Sequence, residues 1–137
     1  MIGDVVGHDI RAAAAMGQLR SMLRVLGWAL DDPPSVNVSR LDRAARDLAA
    51  SSLASLVYAR LDLPEPGTGS RRLRWTNAGH LPPLLLDASG RVRPLTDDRP
   101  ADMVLGVLPE TRRRDQQAVV EPGDTVWWHG DVIHSVG

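Results

Sequence analysis

The sequence predicts an α+β fold in which two helices pack on antiparallel sheet. Three observations carry that prediction. Helical periodicity is confined to the first 48 residues, the period shortens after Ala50, and clusters of Gly, Pro, Asp and Ser then divide the rest into short segments. The 137 residues make one domain, and the 43% hydrophobic content supplies a core. The absence of Cys excludes a disulfide framework, a thiol nucleophile and thiolate-held metals. A net charge of -1 argues against a dedicated nucleic-acid binder. No apolar stretch reaches the length of a membrane span and no basic-then-apolar leader opens the chain, so a cytoplasmic protein with no membrane partner is expected. All 16 basic residues are Arg, Phe is absent and Ala is abundant, which fits GC-rich codon usage and a bacterial source.

Residues 1–8 form the end of an apolar strand running into a Gly-bounded turn. Asp9 can cap the helix that follows. Over residues 10–30, Met16, Leu19, Leu23, Leu26 and Leu30 recur at helical offsets, with Arg11, Gln18, Arg20 and Arg24 off the stripe. The Asp31-Asp32-Pro33-Pro34 run ends that helix. A second helix is predicted over residues 35–48, with Val38, Leu41, Ala45 and Leu48 on one side and an Asp42–Arg46 pair at i,i+4. Residues 53–63 then form a strand, the 64–69 cluster turns, and residues 71–76 return. Residues 82–86 and 92–95 make a hairpin around Asp87-Ala-Ser-Gly90. Residues 96–102 are a polar loop with three Asp. Residues 117–120 and 125–128 form a last hairpin joined by Glu121-Pro-Gly-Asp124, and of the adjacent Trp127 and Trp128 one faces in and the other out. The Arg112-Arg113-Arg114 run is expected in a solvated connection.

Acidic residues are 14 Asp against 3 Glu, and Asp is the type that caps helices, turns the chain and ligates hard cations. Asp4, His8, Asp9, His80, His129, Asp131 and His134 are the residues with chemistry to offer. Asp4 stands out because it sits at a strand end beside two Gly, ahead of a helix start. A carboxylate there can hold a cation with a neighbouring backbone carbonyl, or it can merely fix a turn. His129 and His134 are five apart, which on a strand places them on opposite faces and argues against a metal pair.

Four segments, in order, resemble the SpoIIE-type serine/threonine phosphatases of the metal-dependent type 2C superfamily. They are Gly3-Asp-Val-Val-Gly-His8, Ala54-Ser-Leu-Val-Tyr-Ala-Arg-Leu-Asp62, Trp75-Thr-Asn-Ala-Gly-His-Leu-Pro-Pro-Leu-Leu-Leu86, and Leu105-Gly-Val-Leu108 with Glu121-Pro-Gly-Asp-Thr125. The resemblance spans nearly the whole chain. It implies an αββα sandwich, of which this chain makes a partial version. Sheet-edge aspartates would hold two Mn²⁺ or Mg²⁺ ions, whose bound water attacks a phosphoserine or phosphothreonine. The implied partner is a phosphorylated regulatory protein of the anti-sigma-factor antagonist type. Residue by residue, the resemblance makes Asp4 the bridging metal ligand, Val5 the donor of a backbone carbonyl and Asp131 the aspartate of the Thr-Asp-Gly motif. It places His8, Asp9 and His80 at the site rim.

The sequence departs from the family pattern at Asp9 and Val132, where the family has Gly, and it does not contain the family's aspartates from earlier strands and from the domain's C-terminal end. Residues 1–137 are therefore expected to be a single, incomplete SpoIIE-type domain, cut at both ends. The alternative is a non-catalytic remnant of that fold serving as an interaction module. Two weaker comparisons fail on spacing. His8-Asp9 resembles an HD-type phosphohydrolase signature, but the next His is 72 residues on. Gly123-Asp124 with His134 resembles the second motif of a cupin, but no His-x-His motif precedes it.

Overall fold

The computed structural model describes residues 1–47, 53–97, 99–108, 110–130 and 134–135. The elements in chain order are β1 (Ile2–Val5), α1 (Ile10–Ala29), α2 (Pro34–Asp47), β2 (Ala54–Leu61), β3 (Arg71–Ala78), β4 (Leu84–Leu86), β5 (Val92–Pro94), β6 (Gln116–Val120), β7 (Thr125–Trp127) and β8 (His134–Ser135). The strands make two antiparallel four-stranded sheets, ordered β1-β2-β3-β6 and β5-β4-β7-β8. The α+β expectation holds, as helices, first sheet and second sheet stack in three layers.

Local chemistry sets the helix ends. Asp9 caps α1 by accepting the Ala12 N–H at 2.8 Å. Leu30 leaves the helix in an extended conformation, so it ends the apolar stripe instead of joining it, and Ala15, Leu19 and Leu23 carry the burial. Pro34 opens α2, where its missing N–H is harmless. The cap of α2 comes from far along the chain. Asp115 accepts from the backbone N–H of Ser35 at 2.8 Å and from its hydroxyl at 2.5 Å, placing a carboxylate at the positive helix end. Arg60 ties the interhelix linker to β2 through Asp31 at 2.7 Å and the Asp32 carbonyl at 3.1 Å.

Strand alternation divides the core in two. One face of the first sheet turns Val5, Ala54, Leu56 and Ala78 toward Leu19, Leu23, Val38 and Leu41 of the helices, with Leu105 closing the cluster. The other face turns Val57, Leu73, Trp75 and Val120 toward Leu85, Leu95 and Val126, the last group from the second sheet and its neighbouring loop. Leu84, Leu86 and Trp127 alternate with these inward residues, and Leu84 and Trp127 are cross-strand partners. Trp127 is exposed and Trp128 packs against the inter-sheet core, as the adjacency of the two predicts.

Three expectations are corrected. Residues 117–120 and 125–128 do not make a hairpin. β6 pairs with β3 in the first sheet and β7 with β4 in the second, so the Glu121–Asp124 turn carries the chain between sheets. Asp42 does not spend its carboxylate on Arg46. It accepts from Arg113 at 2.6 Å and from the Gly106 N–H at 3.0 Å, and both charged side chains are 1% exposed. The Arg112–Arg114 run is accordingly no solvated connection at its centre, since Arg113 is buried and also donates to the Met103 carbonyl at 2.9 Å. Leu48 lies outside the described residues. Among the described residues no helix is long and apolar enough to cross a membrane.

Candidate functional site

The site builds from the end of the first sheet where β1 runs into α1. Asp4 pairs across the strands with Ser55, and antiparallel partners share a face. The Asp4–Ser55 pair lies in the same alternation as Ile2 and Val57, on the face toward the second sheet. Val5 falls in the opposite alternation and buries its side chain against the helices, 5% exposed. That burial fixes the strand so that its neighbour must face the other way. The Asp4 carboxylate is exposed and makes no hydrogen bond or ion pair with any described residue.

The Asn77-Ala78-Gly79-His80 segment gains a mechanical explanation. Asn77 Oδ1 accepts the His80 N–H and Asn77 Nδ2 donates to the His80 carbonyl, both at 2.8 Å, so one amide closes the turn from both sides. Ala78 is fully buried against the helix-side core and leaves no room for a larger side chain. Gly79 has φ +69°, and a Cβ there would come within 2.4 Å of the Val104 side chain, so glycine is required twice over. The turn delivers the His80 ring between two elements. Nε2 donates to the carbonyl of His129 at 2.8 Å, because a carbonyl only accepts, and this leaves Nδ1 to accept the Ser55 hydroxyl at 2.8 Å. His80 therefore bridges β2, beside Asp4, and the segment after β7.

That segment returns to β1. Gly130 packs against Ile2, and a Cβ at Gly130 would meet the Ile2 side chain at 2.4 Å. Asp131, the next residue, lies outside the described residues, as do Val132 and Ile133. Of the sequence-predicted rim residues, His8 and Asp9 are exposed, with Asp9 committed to its helix cap. His80 joins Ser55, and through it the neighbourhood of Asp4.

The donor chemistry at Asp4 suits a hard cation, but the number of donors does not complete a cage. Among the described residues no three Asp, Glu or His side chains converge on one point. Reasoning from the sequence missed Ser55, Asn77 as a two-sided turn lock, and the His129 carbonyl. Ser55 is the strand neighbour of a buried Ala and could be found only by knowing the β1–β2 register.

The order of segments agrees with one family over almost the whole chain. The family model described as Stage II sporulation protein E (SpoIIE) matches residues 1–133. The chain belongs to the SpoIIE family. Its fold is similar to the crystal structure of the RsbU and RsbW domains of Rv1364c from Mycobacterium tuberculosis, with a TM-score of 0.73 and 31% identity, covering 90% of this chain and 32% of that one. It is also similar to RsbX solved in complex with magnesium, with a TM-score of 0.60 and 15% identity, covering 90% of this chain and 55% of that one; this likeness concerns the fold. A stretch 41% identical over 58 residues occurs in the uncharacterized protein YbiU of Escherichia coli, covering 33% of this chain and 14% of that protein. The chain thus spans one third to about half the length of the two structures it matches. Both structural neighbours support the fold of two helices packed on antiparallel sheets.

Proposed function

We propose that residues 1–137 act as part of a single SpoIIE-type phosphatase domain that hydrolyses phosphoserine or phosphothreonine on a regulatory protein. The observation that supports this best is the Asp4 carboxylate. It sits on a structured strand, lies on the sheet face toward the second sheet, and is engaged by no described partner. A carboxylate that no described group of its own fold engages is available for a ligand.

In this proposal Asp4, the Val5 backbone carbonyl and Asp131 are the chain's share of a Mn²⁺ or Mg²⁺ ligand set. Bound cations of this kind supply an activated water and offset phosphoryl charge. Three such donors do not fill a two-ion centre, so we derive no step through it. The chain's own residues do the following. Val5 burial aims Asp4. His80 holds the segment after β7 near β2 and so keeps the approach to Asp131 beside β1. Asp9 starts α1 directly after the site loop. The partner proposed from the family resemblance is a phosphorylated anti-sigma-factor antagonist in a bacterial cytoplasm.

The test is hydrolysis of p-nitrophenyl phosphate and of a phosphoserine peptide with and without Mn²⁺, on this chain and on Asp4→Asn. Cation-dependent turnover that disappears in Asp4→Asn, with the melting temperature unchanged, is the expected result. Turnover equal in the two proteins overturns the assignment of Asp4. A second reading, a non-catalytic scaffold of the same fold, is favoured by the missing third ligand among the described residues. It predicts no cation-dependent turnover from folded protein.

A further inference from the structure

Beside His80, a cleft of about 180 Å³ opens between the end of the first sheet and the loop that follows β5. Its apolar floor includes Pro82 and Leu95. Its charged wall holds two guanidinium groups, Arg99 and Arg114, against one carboxylate, Asp102. The charges are not equally available. Both oxygens of Asp102 accept from Arg114, one from its backbone N–H at 2.9 Å and one from Nε at 3.1 Å. Arg114 also donates to the Pro100 carbonyl at 2.8 Å, so it is locked in place. Arg99 is different. Its side chain is 66% exposed and lies beside Asp97, with Nε 3.4 Å from the carboxylate, which also accepts from the Arg99 backbone N–H at 3.3 Å. Asp97, which is not part of the cleft wall, also accepts from Gln116 and lies 3.9 Å from Arg114 Nη1. The two terminal nitrogens of Arg99 make no hydrogen bond to a described residue, and they form the fork that recognises a planar oxyanion.

We propose that this cleft is a subsite for an acidic side chain, Asp or Glu, of a polypeptide substrate, with the carboxylate held by the Arg99 fork and the methylene stem lying on Pro82 and Leu95. The proposal rests on the phosphoprotein reading above, since His80 is the common wall between the cleft and the Asp4 end of the sheet. A residue flanking the phosphoserine would enter the cleft while the phosphate lies toward Asp4. The terminal nitrogens of Arg99 set the preference for an anion over an amide, and the small volume sets it for one side chain over a larger group.

The test measures binding by fluorescence anisotropy on the unmodified chain. The probes are labelled phosphoserine peptides that differ only in carrying Glu or Gln beside the phosphoserine, each also made without the phosphate. The expected result is about five- to tenfold tighter binding of the Glu peptides, as for one partly exposed charge-assisted pair. In Arg99→Gln the preference falls below about twofold, and Arg99→Glu reverses it in favour of a Lys peptide. Arg99 lies at the surface, so these variants fold. Equal affinity for Glu and Gln peptides in the unmodified chain overturns the proposal, as does a preference that survives Arg99→Gln or no measurable binding of any Glu peptide. If the phosphate adds nothing to affinity, the phosphatase reading fails at the binding step while the Glu-against-Gln comparison still decides the subsite.

Discussion

Two aspartates of this chain show opposite uses of the same functional group. Asp42 is 1% exposed and spends both oxygens inside the fold, on Arg113 and on the Gly106 N–H. Asp4 is exposed on an ordered strand and spends neither on any described group. The first joins α2 to the loop ahead of β6, at the helix-side core. The second lies on the sheet face toward the second sheet. A carboxylate paid off by internal partners tells about stability, whereas one left unengaged at a fixed position tells about what binds there.

The largest effect should come from breaking the engaged aspartate. Asp42→Ala leaves Arg113 buried without a counter-charge and should cost about 3–5 kcal/mol in chemical denaturation. The double change Asp42→Leu with Arg113→Met should recover most of that loss, because the lone charge goes with its partner. A loss below 1 kcal/mol in the single variant would show that the pair contributes little to the fold. Asp4→Asn should sit at the other extreme. Its stability should stay within about 0.5 kcal/mol of the parent, as for surface positions without partners, while cation-dependent turnover is lost. A stability change as large as that of Asp42→Ala would erase the contrast between the two residues. Asp9 falls between them, since it is exposed yet has one structural bond. Asp9→Ala should cost about 1 kcal/mol through the lost cap, readable as a lower melting temperature.

These three residues also show how far sequence alone reaches. The Asp9 cap was legible because its donor is three residues away, within the span that local patterns describe. The α+β class, the β2–β3 return and the β4–β5 hairpin were legible for the same reason, since periodicity and turn chemistry act over short distances. The Asp42 partner was not, because Arg113 stands 71 residues away and an i,i+4 arginine was at hand. The false β6–β7 hairpin has the same origin. A Pro-Gly turn between two apolar segments looks local, but the open edges of β3 and β4 offered each segment a different sheet. At the candidate site, Asp4 stands out by its place at a strand end beside two Gly, the resemblance of motifs adds an expected metal role and His80, and Ser55 and the His129 carbonyl emerge only when register brings them together.

The smallest effect concerns a fourth aspartate, half-buried at the surface but engaged like Asp42. Asp87 turns the β4–β5 hairpin, where one oxygen accepts from the Ser89 hydroxyl and from the backbone N–H groups of Ser89 and Arg91. The Ser89 hydroxyl bond first, and then the Arg91 N–H, hold its carboxyl below the usual carboxylate range. A folded-state value lowered in this way adds stability above the unfolded-state value, near pH 4, and that stability is lost as pH falls through the lowered folded value. Asp87→Asn keeps an acceptor oxygen but removes the charge. It should melt slightly below the parent at pH 7, and the gap should close as pH falls below about 4 and the parent's own carboxyl takes up its proton. A gap that stays constant across that range would mean the charge of Asp87 contributes nothing to the turn, and that exposure outweighs internal hydrogen bonding in deciding what an aspartate does here.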